Sequence, residues 1–160
     1  MGILDKILGN NKEDNFSDLI NKLENLIAKA DKSGDKNEFI DPAYDIIEKI
    51  EEKQNSFDAV KPILDLIERS PDIDYGGPGP LGSFLETFYN NGEYENLLEN
   101  SVRKKPKAFN VFLLDRIIAD KKNKNRDVYI QLLKETNLRT DLSNETKEYL
   151  DFAIEKNEKL

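Results

Sequence analysis

Carboxylates are the residues of this chain whose types and spacing come nearest to chemistry. Glu48 with Glu51 or Glu52, Asp65 with Glu68, and Glu95 with Glu99 stand three or four positions apart. On a helix each such pair shares one face. Glycosidases and two-metal enzymes use carboxylate pairs, but they set the two groups across a cleft, from different elements. Pairs on a single helix face describe a solvated acidic surface instead. Asp72-Ile73-Asp74 looks like the start of a calcium loop, yet no Glu stands at the position that would close it. The chain contains no Cys and no His. Disulfides, thiolate metal sites, the commonest zinc ligand and every Ser-His or Cys-His nucleophile are thereby removed. The expectation is a binding protein, not an enzyme, with no metal, no cofactor and no catalytic residue.

Three further features could contact a ligand. Gly76-Gly77-Pro78-Gly79-Pro80 is a stiff corner opening onto a helix N-terminus, where an anion could sit. It lacks the Gly-Lys-Ser/Thr ending of a phosphate loop and follows no strand, so a tight turn between helices or a partner-binding corner are the two readings. The basic runs Arg103-Lys104-Lys105-Pro106-Lys107 and Lys121-Lys122-Asn123-Lys124-Asn125-Arg126 flank one helical segment. Cations favour helix C-termini, and a chain with a net charge of −8 repels a polyanion, so nucleic acid is not the expected partner. Arg116 stands inside an apolar helical segment beside Asp115 and points either into a groove or outward.

Helical periodicity fills the intervals between prolines, glycines and caps. Phe16, Leu19, Ile20, Leu23, Leu26, Ile27 and Ala30 mark a helix capped by Asn15. A second is expected to start at Asp41-Pro42, with Tyr44, Ile47 and Ile50 on its buried stripe and Asp45, Glu48, Glu51 and Glu52 outside. A third, capped by Ser56, runs roughly from Phe57 to Arg69, with Pro62 kinking it or marking a later start. Further helices are expected from Pro80 to Asn91-Gly92, Tyr94 to Val102, Lys107 to Asp120, Arg126 to Thr136 with Val128 on its buried side, and from a Ser143 cap onward. No segment alternates with period two. The fold class is therefore all-α: seven to eight short antiparallel helices, arranged as stacked pairs of the HEAT or armadillo kind or as a compact bundle. The 160 residues suit one domain, with residues 1–12, including Ile3-Leu4-Asp5-Lys6-Ile7-Leu8, as a loosely docked N-terminal segment.

Charge is unevenly placed. Residues 1–80 carry 10 basic and 18 acidic side chains, and residues 81–160 carry 14 of each. Between Asp35 and Asp74 there are 5 basic and 12 acidic residues, and between Arg103 and Arg126 there are 9 basic and 2 acidic. One acidic and one basic face follow. No apolar run is long enough to span a bilayer and no cleavable leader opens the chain, so a cytoplasmic location without membrane contact is expected.

The stretch Asp74-Tyr75-Gly76-Gly77-Pro78-Gly79-Pro80-Leu81, followed by Phe84-Leu85-Glu86-Thr87-Phe88-Tyr89, resembles small all-helical bacterial immunity proteins of polymorphic and contact-dependent toxin systems. Tyr94-Glu95-Asn96-Leu97-Leu98-Glu99, Lys104-Lys105-Pro106 and Phe112-Leu113-Leu114-Asp115-Arg116-Ile117-Ile118 continue the likeness, which covers roughly residues 70–120. The pattern has Asn where Asp115 stands, so no role is carried onto position 115. The resemblance implies that the chain neutralises a cognate protein toxin; many such toxins are nucleases with basic clefts that an acidic surface would complement. The residues expected to meet that partner are Asp45, Glu48, Glu51, Glu52, Asp72, Asp74, Tyr75, Glu86, Tyr89 and Arg116. The alternative is a helical-repeat adaptor holding a protein or peptide in a groove; adjacency to a toxin gene separates the two.

Overall fold

The computed structural model describes residues 14–159. The N-terminal segment Ile3–Leu8 lies outside the described residues. Within them the chain forms eight α-helices and no strand.

Helix α1 (Phe16–Ser33) starts where Asn15 Oδ1 accepts the Asp18 N–H at 2.8 Å, with the Asp18 carboxylate returning to the Asn15 N–H. This reciprocal cap satisfies two otherwise orphaned donors. Leu19, Ile20, Leu23, Ile27 and Ala30 are its buried stripe, and Gly34 ends it in the left-handed region at φ 74°.

Helix α2 (Asn37–Glu51) begins one turn before the expected Asp41-Pro42 start. The Ser33 hydroxyl accepts from the Asp35 N–H, and Asp35 Oδ1 accepts from the Asn37 N–H at 3.0 Å. These turns set the first helical residues ahead of Pro42, which therefore lies inside the helix. Phe39, Ala43, Ile46, Ile47 and Ile50 form the buried stripe. Tyr44, expected on that stripe, is 50% exposed. It falls between the rows that face the core and joins the outer face.

A 3₁₀ turn at Ser56–Ala59 leads into α3 (Val60–Arg69), so Pro62 occupies the first turn and marks the later start. Then follow α4 (Gly79–Glu86), α5 (Glu93–Lys104), α6 (Ala108–Ile118), α7 (Arg126–Thr136) and α8 (Asn144–Glu158). On α7 the buried residues are Tyr129, Leu132, Leu133 and Thr136. Val128, expected inside, lies one position before this stripe and is 51% exposed.

The main packing partners of a helix are its sequence neighbour and the helix two further along: α1 on α2, α2 on α4, α3 on α5, α5 on α6, α6 on α8 and α7 on α8. That is the contact rule of stacked helix pairs. Here the stack closes into a compact bundle around a single apolar cluster running from Leu19 to Ala153.

Two buried polar groupings join the layers. The Glu68 carboxylate accepts from the Ser101 hydroxyl at 2.9 Å, and the Asn110 side-chain amide donates to Ser101 Oγ at 3.1 Å and to the Lys105 carbonyl at 3.0 Å. The Asp115 carboxylate, 2% exposed, accepts from the Tyr149 hydroxyl at 2.9 Å, the Asn157 amide at 3.0 Å and the Lys156 ammonium. Buried polar groups persist when they are hydrogen-bonded in this way.

Candidate functional site

The outer face of α2 is predominantly acidic, with the exposed Lys49 at its edge. Asp41, Tyr44, Asp45, Glu48 and Glu52 follow the helical spacing of a single stripe, with Glu51 beside it, and all are exposed. With a rise of about 1.5 Å per residue the stripe is about 16 Å long. Among the described residues, Asp45, Glu48, Glu51 and Glu52 take part in no ion pair, and Tyr44 stands among them with half its surface in water. Several carboxylates elsewhere on the described surface are neutralised locally: Asp14 by Lys22, Glu24 by Arg69, Asp65 by Lys61, Glu99 by Arg103 and Asp141 by Arg139. The helix thus displays a strip of carboxylates without close ion pairs around one aromatic ring, with Lys49 at its margin. Tyr44 was missed as a contact because its spacing from Ile47 fits a buried stripe as well as an exposed one.

The glycine-proline segment is a structural corner. Asp74 Oδ1 accepts the Gly76 N–H at 2.9 Å, and its other oxygen pairs with the exposed Lys36 at 3.2 Å. Gly76 has φ 93°, and a Cβ on it would stand 2.7 Å from the Gly79 Cα, so the turn admits no side chain there. Tyr75 is 2% exposed. Its ring meets Phe39 edge-on at 5.4 Å and Phe109 at 5.0 Å, and its hydroxyl donates to the Pro71 carbonyl at 3.0 Å. Burial raises the pKa of the hydroxyl well above the ordinary tyrosine value. The expectation that Tyr75 meets a partner is therefore corrected: it is a core residue that pins the loop between α2 and α6.

Asp72 and Tyr89 also hold the fold together. Asp72 accepts from the Ser143 hydroxyl at 2.7 Å, at the start of α8, and Lys107 approaches it at 3.7 Å. Tyr89 donates to Asp120 at 2.6 Å and accepts from the Asn123 amide at 3.1 Å, fastening the end of α4 to the loop before α7. The hydrogen bond from Tyr89 holds the Asp120 carboxyl below the usual carboxylate range, while partial burial raises the Tyr89 hydroxyl.

Glu86 and Arg116 come together from α4 and α6. Arg116 Nε donates to Glu86 Oε2, and the guanidinium lies over the Phe112 ring with 5.6 Å to its centroid. Arg116 is exposed, which answers the question the sequence leaves open. Phe112 continues into Tyr149 at 6.0 Å and Phe152 at 5.7 Å beyond it, a row of aromatic rings that ends with Phe152 55% exposed.

The ten expected residues thus divide. Four carboxylates share the α2 face, Glu86 and Arg116 form one pair elsewhere, and Asp72, Asp74, Tyr75 and Tyr89 make intramolecular contacts. Among the described residues no group of three Asp or Glu side chains is placed to hold a metal ion, and no helix is long and apolar enough to cross a membrane. No protein-family model matches the chain, no curated protein matches its sequence, and no solved structure matches its fold.

Proposed function

We propose that this protein is an immunity protein, which neutralises a cognate protein toxin by covering it with the acidic face of α2. The observation that carries the reading is the strip Asp41, Asp45, Glu48 and Glu52 around the exposed Tyr44, left without ion pairing among the described residues. Unpaired surface carboxylates in a row repel one another and cost stability, which a complementary basic partner would offset. A tyrosine amid them supplies large contact area for few rotors, the composition of an interface hot spot. A basic cleft, as in a nuclease, is the complementary surface; the strip would occupy it in place of a nucleic-acid backbone. The chain acts as a stoichiometric inhibitor in the cytoplasm of the producing bacterium and carries no reaction of its own.

The test is co-expression with the cognate toxin domain that this reading requires, sought in the adjacent gene. Growth should be restored by the natural chain and lost with the triple variant Asp45→Lys, Glu48→Lys, Glu52→Lys, whose thermal unfolding should match the natural chain. Undiminished protection by that variant rejects the acidic-face reading. The helical adaptor reading would gain if protection were absent and a peptide ligand were found in a groove.

A further inference from the structure

Arg116 is an exposed cation whose guanidinium is held in place while part of it stays uncommitted. Its guanidinium is fixed on one side by Glu86 through Nε and beneath by the Phe112 ring. Among the described residues its two terminal nitrogens make no hydrogen bond, although 42% of the side chain is open to solvent. Arg139 shows the contrast: its Nε and both terminal nitrogens are engaged, by Asp141 and by the Arg103 carbonyl.

We propose that Arg116, with the aromatic row Phe112, Tyr149 and Phe152 beside it, is a docking site for a carboxylate-bearing segment of a partner polypeptide. A planar guanidinium held in place keeps its fork of N–H donors in the geometry that a carboxylate accepts with both oxygens. Glu86 already neutralises part of the charge, so the site suits a planar monoanion; a phosphate dianion would meet Glu86 at close range. Lys156, over the Phe152 ring at 5.3 Å, is committed to the buried Asp115 and adds no free cation. The exposed face of Phe152 offers apolar contact to a residue flanking the incoming carboxylate. The site lies on α4, α6 and α8, apart from the α2 strip in sequence and of opposite preference in charge, and it goes beyond the toxin-binding reading.

The experiment is an NMR titration of the full chain with the peptide Ac-Phe-Glu-Phe-NH₂, its Gln counterpart and its phosphoserine counterpart. The Arg116 Nε–Hε signal and the Phe112 and Phe152 ring signals are followed. The Glu peptide should shift these signals saturably, with a Kd on the order of 1 mM. The Gln peptide should bind at least about tenfold more weakly. Arg116→Lys keeps the charge but loses the fork, and should weaken the Glu peptide by about tenfold or more with unchanged thermal unfolding. The α2 triple variant should titrate like the natural chain. Equal binding of the Gln peptide, tighter binding of the phosphoserine peptide, full binding to Arg116→Lys, or no shift at Arg116 would each overturn the proposal.

Discussion

Asp115 is the most demanding single side chain of the core. Its carboxylate is buried on α6 and is satisfied entirely by α8, through Tyr149, Lys156 and Asn157. Asp115→Ala removes the shared acceptor of those donors, of which Asn157 keeps only the Ala153 carbonyl, and should cost about 3 kcal/mol in urea unfolding. Lys156→Met should cost less, about 1 kcal/mol, because the ammonium is partly exposed and the other two donors remain. Equal losses would mean that the ion pair, not the hydrogen bonding, carries the contact. The three tyrosines Tyr75, Tyr94 and Tyr149 give a pH signature. Burial raises each hydroxyl above its ordinary value. The folded state therefore keeps protons that the unfolded chain releases, so their contribution is complete below about pH 10 and declines as pH rises beyond it. With no histidine to titrate, stability should be flat from about pH 6 to pH 8 and fall steeply above about pH 10. Urea midpoints across that range check it; a marked change near pH 6.5 contradicts it. Tyr44 and Tyr75 show where residue-level reading stops. Tyr75 stands beside glycines and an aspartate, the composition of an exposed loop, yet its ring fills the gap between Phe39 and Phe109. Only the docking of α2 against the loop and α6 decides that.

Among the elements, the start of α8 is the most informative. Ser143 was legible as a cap, and its hydroxyl oxygen accepts the Thr146 N–H at 3.1 Å. Its bond to Asp72 was not legible, because 71 residues separate the two. Ser143→Ala should therefore cost about 1.5 kcal/mol, toward the upper end for a cap, and Asn15→Ala at the exposed start of α1 should cost less. Paired unfolding curves decide this, and a reversed order contradicts the Asp72 tie. The corner at Gly76 is the second case. Its positive φ and its close approach to Gly79 predict that Gly76→Ala destabilises by about 2 kcal/mol or more, whereas an exposed, untethered loop would accept alanine at little cost. Most helix stripes were readable, since a 3.6-residue period is a local property, but Tyr44 and Val128 at stripe edges were placed inside and lie outside. The early start of α2 was hidden because Pro42 signals a first turn, and the turns at Ser33 and Asp35 that override it are weaker in composition.

For the whole molecule, an all-helical stack follows from helical stripes joined by short connections. Which helices stack on which, and hence which faces stay open, depends on tertiary packing that periodicity does not encode. The charge asymmetry does survive folding, concentrated on α2, where Asp45, Glu48, Glu51 and Glu52 remain unpaired among the described residues. A partner recognised through such a strip is reached by electrostatic steering, which raises the association rate and falls with ionic strength. The measurement that tests this most directly is the association rate of the full chain with the cognate toxin domain that the proposed function requires, by stopped flow at about 50 and 500 mM salt. The rate should fall at least about tenfold across that range for the natural chain. For the Asp45→Lys, Glu48→Lys, Glu52→Lys variant it should be slow and nearly independent of salt. Equal rates and equal salt dependence for the two proteins would contradict the assignment of the α2 face.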